Sequence, residues 1–299
     1  MDYNLPIVSI ITVNFNGTYL TQALLESVKS VDYPNIEVIV VDNASNNDPT
    51  EALLSIYPKA KIIRSNKNLG FAGGNNLGMR NALGNYYFLV NNDTELQPGS
   101  ISALLDVFKS HKDAGIVSPK FHYYFFPGTI EYAGYNRVNP WTGRSSMIGC
   151  QEKDLGQYNV LRETHYAHGG GMMIPAHVQQ EVGFMPELYF LYYEEFDWCE
   201  QIKRHGYKVY YQPHSLILHK ESMTTGKGSR LKTYYLSRNR IIFMQRNGHG
   251  IAKAFFFIYL VTITIPKNSL TLLFQKDHRN LTAFWKALWW NIEHFKLKI

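Results

Sequence analysis

The chain has 299 residues, enough for one large α/β domain or two smaller ones. With 45% hydrophobic and 18% charged residues it can bury a core, which excludes wholesale disorder. The net charge of +6 is uneven: 13 basic against 20 acidic residues leave −7 over 1–199, while 200–250 carries +8 and 251–299 carries +5. A basic C-terminal third suits an anionic partner (phosphate, nucleic acid or a lipid surface) or simply solvated helix faces. Two cysteines, Cys150 and Cys199, are too few for a disulfide framework or a four-cysteine zinc site and fit a reducing compartment. Met1–Pro6 is short and carries Asp2, so it does not read as a basic-then-apolar leader.

In chain order, residues 7–13 (IVSIITV) form a β-branched apolar run suited to a strand buried on both faces. Helix 18–30, strand 36–41 ending at Asp42, a short helix at 49–57 and strand 61–64 follow. A Gly/Asn-rich loop over 66–76 leads to a helix ending near Leu83. Strand 86–90 then runs into Asn91-Asn92-Asp93, and helix 98–110 and strand 115–118 close this half. Strands and helices alternating every 25 residues or so predict βαβ units and a mostly parallel sheet flanked by helices. Residues 119–165 read as hairpins and loops, and 166–174 as a strand entering a glycine run. Helix 176–183, extended 189–193, helix 194–205, short strands 209–211 and 216–218 about Pro213, and a basic helix 230–247 complete the body.

The last 49 residues differ. Ala254–Ile265 is uncharged but shorter than a membrane span and is interrupted by Pro266-Lys267-Asn268. Segment 281–297 spaces Trp285, Leu288, Trp289, Ile292 and Phe295 at helical intervals, with Lys286, Lys296 and Lys298 alongside. That is the pattern of a helix lying at a membrane surface, or of one packing on the body or on a second subunit. The chain therefore divides into 1–250, itself split at 118/119, and a helical extension 251–299.

Ligands of open α/β sheets bind beyond the carboxyl ends of the strands. Here those ends carry Asn14, Asp42, Asn68 and Asn91–Asp93. Asp93 could hold a divalent cation with phosphate oxygens, and His219, ending the strand at 216–218, offers a second ligand suited to Mn²⁺. Glu194, Glu195 and Asp197 crowd a helix start, where neighbouring carboxylates raise one another's pKa and favour a general base, or simply complement the helix dipole. Spacing places Glu195 on one helix face with Cys199 and Ile202. No G-x-G-x-x-G, P-loop or G-x-S-x-G motif occurs, which disfavours nicotinamide enzymes, P-loop NTPases and α/β-hydrolases.

Seven segments taken in order, 8–16 (VSIITVNFN), 40–45 (VVDNAS), 68–76 (NLGFAGGNN), 89–95 (LVNNDTE), 168–174 (HGGGMMI), 190–199 (FLYYEEFDWC) and 214–219 (HSLILH), resemble family 2 glycosyltransferases, rhamnosyltransferase-like bacterial members above all. The resemblance covers about 1–247 and implies a GT-A fold, a nucleotide-sugar donor, a divalent cation (Mn or Mg) and inversion at the anomeric carbon. It places Thr12 and Asn14 beside the nucleoside, Asp42 on the base, and Asn68, Asn91 and Asn92 along the nucleotide. Asp93 and His219 fall on the metal and diphosphate, and Gly170 and Gly171 on the acceptor side. Glu195 takes the general-base position, where the family carries Asp, with Glu194 and Asp197 as alternatives. Asn91 replaces the first acid of the family's D-x-D. The resemblance further implies one sugar per visit, from dTDP-rhamnose or a UDP-sugar to a glycan or polyprenyl-diphosphate-linked acceptor. It also implies a cytoplasmic location at the inner membrane face, with no nucleic-acid partner. A sugar nucleotidyltransferase would show a glycine-rich loop where this chain has Asn14-Phe15-Asn16-Gly17, and a non-catalytic carbohydrate- or membrane-binding descendant would tolerate Asn91 and Glu195.

Overall fold

The computed structural model describes residues 5–220 and 229–294; Met1–Asn4, Phe295, Lys296 and Lys298 lie outside them. The described residues fall into two compact units, one of Met1–Asn136, Met147–Phe190 and Glu194–Thr224, the other of Arg137–Ser146, Leu191–Tyr193 and Thr225–Ile299.

The first unit opens with β1 (Val8–Asn14), α1 (Thr18–Val28), β2 (Ile36–Asp42), α2 (Thr50–Ile56), β3 (Lys61–Arg64), α3 (Gly70–Arg80), β4 (Tyr86–Val90), β5 (Thr94–Leu96), α4 (Ser100–Ser110) and β6 (Ala114–Tyr123). It continues with β7 (Ile130–Tyr132), β8 (Arg162–Glu163), β9 (Gly171–Pro175), α5 (Ala176–Val182), α6 (Glu194–Arg204) and β10 (Lys208–His219). One sheet runs β3-β2-β1-β4-β9-β6-β10-β5, with β7 on β6 and β8 on β10. β1 to β4 pair in parallel, in register from Val8↔Ile36 to Asn14↔Asp42. β9 runs antiparallel to both β4 and β6, so the later half of the sheet is mixed. Val8, Ile10, Ile11 and Ile39–Val41 are buried, as strands covered on both faces require.

Three local readings change. The Gly/Asn loop is helical from Gly70 onward, because glycine lets α3 lie directly on β1: a Cβ on Gly74 would stand 2.9 Å from both Val13 methyls, and one on Gly78 would collide with Ile11 Cγ2. Tertiary packing overrides the low helix propensity of glycine. The glycine run leads into β9, whose first residue is Gly171. The two short strands about Pro213 are one strand, β10, whose register shifts between Gln212 and Leu216, a bulge that accommodates the proline.

In place of an extended 189–193, a 3₁₀ turn at Glu187–Tyr189 is followed by left-handed backbone at Phe190, Tyr192 and Tyr193 (φ 64°, 71° and 76°), immediately ahead of α6. Non-glycine residues in that region carry a cost of about 1–3 kcal/mol each, and such strain gathers at functional segments.

The second unit holds α7 (Arg230–Asn247), α8 (Gly250–Tyr259), a π-helical turn (Leu260–Thr264), α9 (Ile265–Phe274) and α10 (His278–Glu293). α7, which the sequence groups with 1–250, packs here against α10. Asn239 of α7 is buried and donates through Nδ2 to the carbonyls of Leu191 (2.7 Å) and Tyr192 (2.8 Å). The apolar segment is longer than the sequence suggests: Gly250–Phe274 is one helix of 25 residues with mean hydropathy 1.4, long and apolar enough to cross a membrane. It continues through Pro266 because the π turn just before it loosens the hydrogen-bond ladder that a proline would otherwise break. Phe255, Ile258, Val261, Leu270 and Phe274 are exposed along it, as are Trp285, Trp289 and Ile292 of α10.

Candidate active site

At the carboxyl ends of β1, β2 and β4, polar side chains join in one buried chain of hydrogen bonds. Asn92 Nδ2 donates to Thr21 Oγ1 (3.0 Å), Thr21 Oγ1 to Asn14 Oδ1 (2.9 Å), and Asn14 Nδ2 to Asp42 Oδ1 (2.9 Å). Arg64 closes it, with Nε 3.1 Å from Asp42 Oδ2 and Nη1 2.7 Å from Asp48. Asn14 and Asp42 are fully buried and Asn92 nearly so, so these groups rigidify the crevice floor. Thr12 is also buried, and its hydroxyl has no hydrogen-bond partner among the described residues. Asn68 Oδ1 accepts from Asn43 Nδ2 (3.0 Å) and from the Gly70 amide (2.9 Å), fixing the turn into α3. Asn91 is half-buried, and its amide donates to the Gly170 carbonyl at 3.0 Å. Thr21, Ser45 and Arg64 belong to this cluster, although their sequence positions, inside or beside ordinary elements, carry no signal.

Asp93 and His219 meet because β5 pairs antiparallel with β10, setting Thr94 opposite His219, while the Lys220 amide donates to the Asp93 carbonyl (2.8 Å). His219 Nε2 lies 3.2 Å from Asp93 Oδ1. That oxygen is buried, and the imidazole is its ion-pair partner. On its other side His219 Nδ1 stands 2.8 and 2.9 Å from the two oxygens of Glu131, a buried acid on β7. Burial opposes a charge on this imidazole, but the carboxylates of Glu131 and Asp93 outweigh it and push the ring up to about 10. Sequence reading misses Glu131, which lies in the aromatic stretch without periodicity; an acid flanked by Ile130 and Tyr132 was the one available signal.

Ligand atoms of Glu131, His168 and His219 lie within 4.8 Å of one another, a set able to hold a metal ion. The hydrogen bonds narrow it. The Gly170 amide donates to His168 Nδ1 (3.0 Å), which leaves the proton on Nε2, facing Glu131 Oε1 at 3.6 Å. Burial holds His168 well below the usual imidazole range, so it is neutral. His168 thus serves Glu131, Glu131 serves His219, and His219 Nε2 and Asp93 Oδ1 are left facing each other as an ion pair, whose Nε2 proton a cation would displace. A carboxylate behind an imidazole is the arrangement that orients metal-ligating histidines, and the oxygen–nitrogen pair it presents suits Mn²⁺. The residues therefore fit a divalent cation.

Across the glycine run stands Glu195. A Cβ on Gly169 would lie 3.8 Å from its Cδ and Oε1. Gly170 and Gly171 are buried, their open sides filled by His168 and Phe121, so Gly169 is the member of the run that borders the acid. Of the acidic triplet, Glu194 and Asp197 are 2% and 0% exposed while Glu195 is half-buried. Spacing alone puts Glu195 nearest the buried side; in the structure Phe196, Trp198, Cys199 and Ile202 are all buried, so most of α6 is enclosed and Glu195 is the more open acid. Cys199 is inert, its thiol pushed by burial up to about 12.

The family described as glycosyl transferase family 2 matches residues 9–174. The low-salt glycan biosynthesis hexosyltransferase Agl10 of Haloferax volcanii is 26% identical over 208 residues, covering 67% of this chain and 63% of the relative, so under two thirds of that protein is represented here. The N-acetylglucosaminyl-diphospho-decaprenol L-rhamnosyltransferase of Mycobacterium tuberculosis is 24% identical over 250 residues, covering 74% and 78%. Among solved structures, GalNAc-T7 with UDP, GalNAc and Mn²⁺ aligns with TM-score 0.64 and 17% identity over 80% of this chain and 48% of that one. The Pyrobaculum calidifontis mannosyltransferase PcManGT, with GDP-Man and Mn²⁺, aligns with TM-score 0.57 and 16% identity over 96% and 75%. The fold is GT-A, and the chain belongs to glycosyltransferase family 2, with a likeness to its rhamnosyltransferases.

Proposed function

We propose that this glycosyltransferase moves one sugar from a nucleotide-sugar, dTDP-rhamnose or a UDP-sugar, to a hydroxyl of a glycan carried on a polyprenyl diphosphate, with inversion at the anomeric carbon. The observation that carries the reading is the facing pair of Asp93 Oδ1 and His219 Nε2, 3.2 Å apart at the strand ends and backed by Glu131. Asp93 and His219 would hold the cation, which when bound supplies positive charge against the departing diphosphate. Asn14, Asp42 and Asn68 frame the nucleoside end, and Thr12 brings a buried hydroxyl with hydrogen-bonding capacity to spare. Glu195, the half-buried acid beside Gly169, takes the proton of the incoming hydroxyl. Gly169, with no side chain, leaves room for the acceptor at that carboxylate, while Gly170 and Gly171 pack against His168 and Phe121.

The acceptor assignment is supported by the rhamnosyltransferase relative, whose name specifies a diphospho-decaprenol substrate. An apolar exposed helix and a Trp-rich amphipathic helix support contact with the inner face of the cytoplasmic membrane. Nucleotide release from a panel of dTDP-, UDP- and GDP-sugars, with Mn²⁺ and an N-acetylglucosaminyl prenyl diphosphate, tests this reading. Acceptor-dependent release from dTDP-rhamnose or a UDP-sugar is expected. No release from any donor would contradict it.

A further inference from the structure

The second unit contains a buried cation that the reaction scheme does not use. Arg240 of α7 is 6% exposed, and its Nε has no hydrogen-bond partner. No carboxylate among the described residues pairs with it. Its electrostatic neighbours are Tyr193, Tyr259 and a second cation, Arg144, which works against it. Arg238, two residues earlier and equally buried, is the opposite case: its guanidinium lies 4.7 Å from the Trp290 ring centre and 4.9 Å from that of Tyr235, and its Nε donates to Asn239 (2.8 Å). Helix geometry alone therefore does not force an arginine on α7 to be unpaired.

An uncompensated buried charge costs several kcal/mol, and a chain keeps one where something else supplies the counter-charge. The surroundings say what kind of ligand that is. The Arg240 stem packs at Gly143, where a Cβ would meet Arg240 Cγ at 3.0 Å, Met244 Cγ at 2.9 Å and Phe256 Cε2 at 3.0 Å. Gly143 takes φ +66° and accepts a hydrogen bond from Tyr193 (2.9 Å), so this loop is held by its backbone close against α7 and α8. The Arg240 stem thus meets Phe256, in the first third of the exposed apolar helix Gly250–Phe274, across Gly143, and its charge is coupled to Tyr259 of that same helix. Anionic recognition at one end and an apolar rail leading away from it describe an amphiphile with a phosphate head.

We propose that Arg240, with Arg144, is a binding site for the diphosphate of the prenyl-linked acceptor, and that the apolar helix beside it takes the prenyl chain. Arg is suited to this role because its planar donors engage two phosphate oxygens at once. The assignment rests on the lipid-diphosphate acceptor proposed above and deepens it.

The test uses the full chain in detergent. Farnesyl diphosphate, farnesol and phosphatidylglycerol vesicles are titrated into wild type, Arg240→Gln and Arg240→Met. Wild type is expected to bind farnesyl diphosphate well above farnesol, and Arg240→Gln to weaken it about tenfold to a hundredfold while leaving nucleotide binding with Mn²⁺ unchanged. Arg240→Met, which removes an unpaired charge but keeps the stem, is expected to raise the unfolding midpoint without ligand and to abolish the shift that farnesyl diphosphate gives wild type. A structural arginine would instead lower that midpoint. Equal binding of farnesol and farnesyl diphosphate would overturn the site. So would an unchanged Arg240→Gln affinity, or an Arg240 dependence confined to the vesicles. If Arg240→Gln binds normally while sugar transfer to a prenyl-diphosphate acceptor is intact, this inference fails and the proposed function stands. If binding depends on Arg240 but no donor is ever used, the reverse holds.

Discussion

Glu131→Gln is the perturbation that separates a positioned metal ligand from an ordinary buried histidine. Glu131 receives His219 Nδ1 at 2.8 Å, and His168 Nε2 stands 3.6 Å away on its other flank. Glutamine is isosteric but has one accepting oxygen and one donating amide, so one of the two imidazole N–H groups meets another donor. Either His219 turns or it gives up the Nδ1 proton, and in both cases Nε2 is no longer held toward the Asp93 oxygen as the nitrogen from which a cation would displace the proton. Losing such a carboxylate behind a metal-bound histidine typically costs about 10–100-fold in metal affinity, roughly 1.4–2.8 kcal/mol. Mn²⁺ titration by electron paramagnetic resonance, with and without nucleoside diphosphate, reads this without any catalytic step. The expected order of affinity is wild type, then Glu131→Gln, then Asp93→Ala, the last losing cation-dependent nucleotide binding altogether. A Glu131→Gln affinity within twofold of wild type, in a protein with unchanged circular dichroism, would refute the reasoning.

Three further outcomes follow from packing and charge. Gly78→Ala gains up to about 1 kcal/mol of helix propensity but drives a Cβ into Ile11; overpacking at about 1–3 kcal/mol wins, so denaturant midpoints should fall. Asp154→Asn removes the carboxylate that Lys120 (2.7 Å) and His122 (2.9 Å) share, leaving Lys120 only the neutral Asn159 oxygen; with 4% of the lysine side chain and 15% of the aspartate exposed, about 3 kcal/mol should be lost, at the low end for a broken buried pair. Burial alone would raise the Asp154 carboxyl, yet Lys120, the Gly156 amide and His122 bring it below the usual 3.8. Its contribution is therefore complete above that value and lost as pH falls through the folded pKa, and Asp154→Asn should remove that part of the acid destabilisation. Finally, the full chain should sediment with anionic liposomes and be released by high salt, the apolar and basic contributions of 251–299 adding at the surface; indifference to liposomes would turn those helices into a protein interface.

The parallel half of the fold was legible because strands buried on both faces must be continuously apolar, as 7–13 and 36–41 are, and because the polar residues ending them share one side of the sheet. α3 was read as loop because glycine disfavours an isolated helix; only the approach of β1 explains Gly74 and Gly78. The left-handed turns at Phe190, Tyr192 and Tyr193 could not be read at all, since no glycine marks them. In the site, Asp93, His219 and the acidic triplet stood at element ends and were visible. Glu131 was hidden because β7 is three residues long, and its role exists only once β10 is laid beside β6. Arg240 was visible as a basic residue of helix 230–247, but its burial without a partner is a property of the second unit's packing and has no trace in the pattern of charges.

Glu195, half-buried beside Gly169, is the proposed base for sugar transfer to an acceptor hydroxyl. It is tested most directly by comparing single-turnover transfer and donor affinity in wild type, Glu195→Gln, Glu194→Gln and Asp197→Asn. Glu195→Gln should lower the transfer rate by roughly 10²–10⁴ with donor affinity unchanged, while the other two variants lose stability more than rate. A comparable rate loss in Glu194→Gln or Asp197→Asn, with Glu195→Gln near wild type, would contradict it.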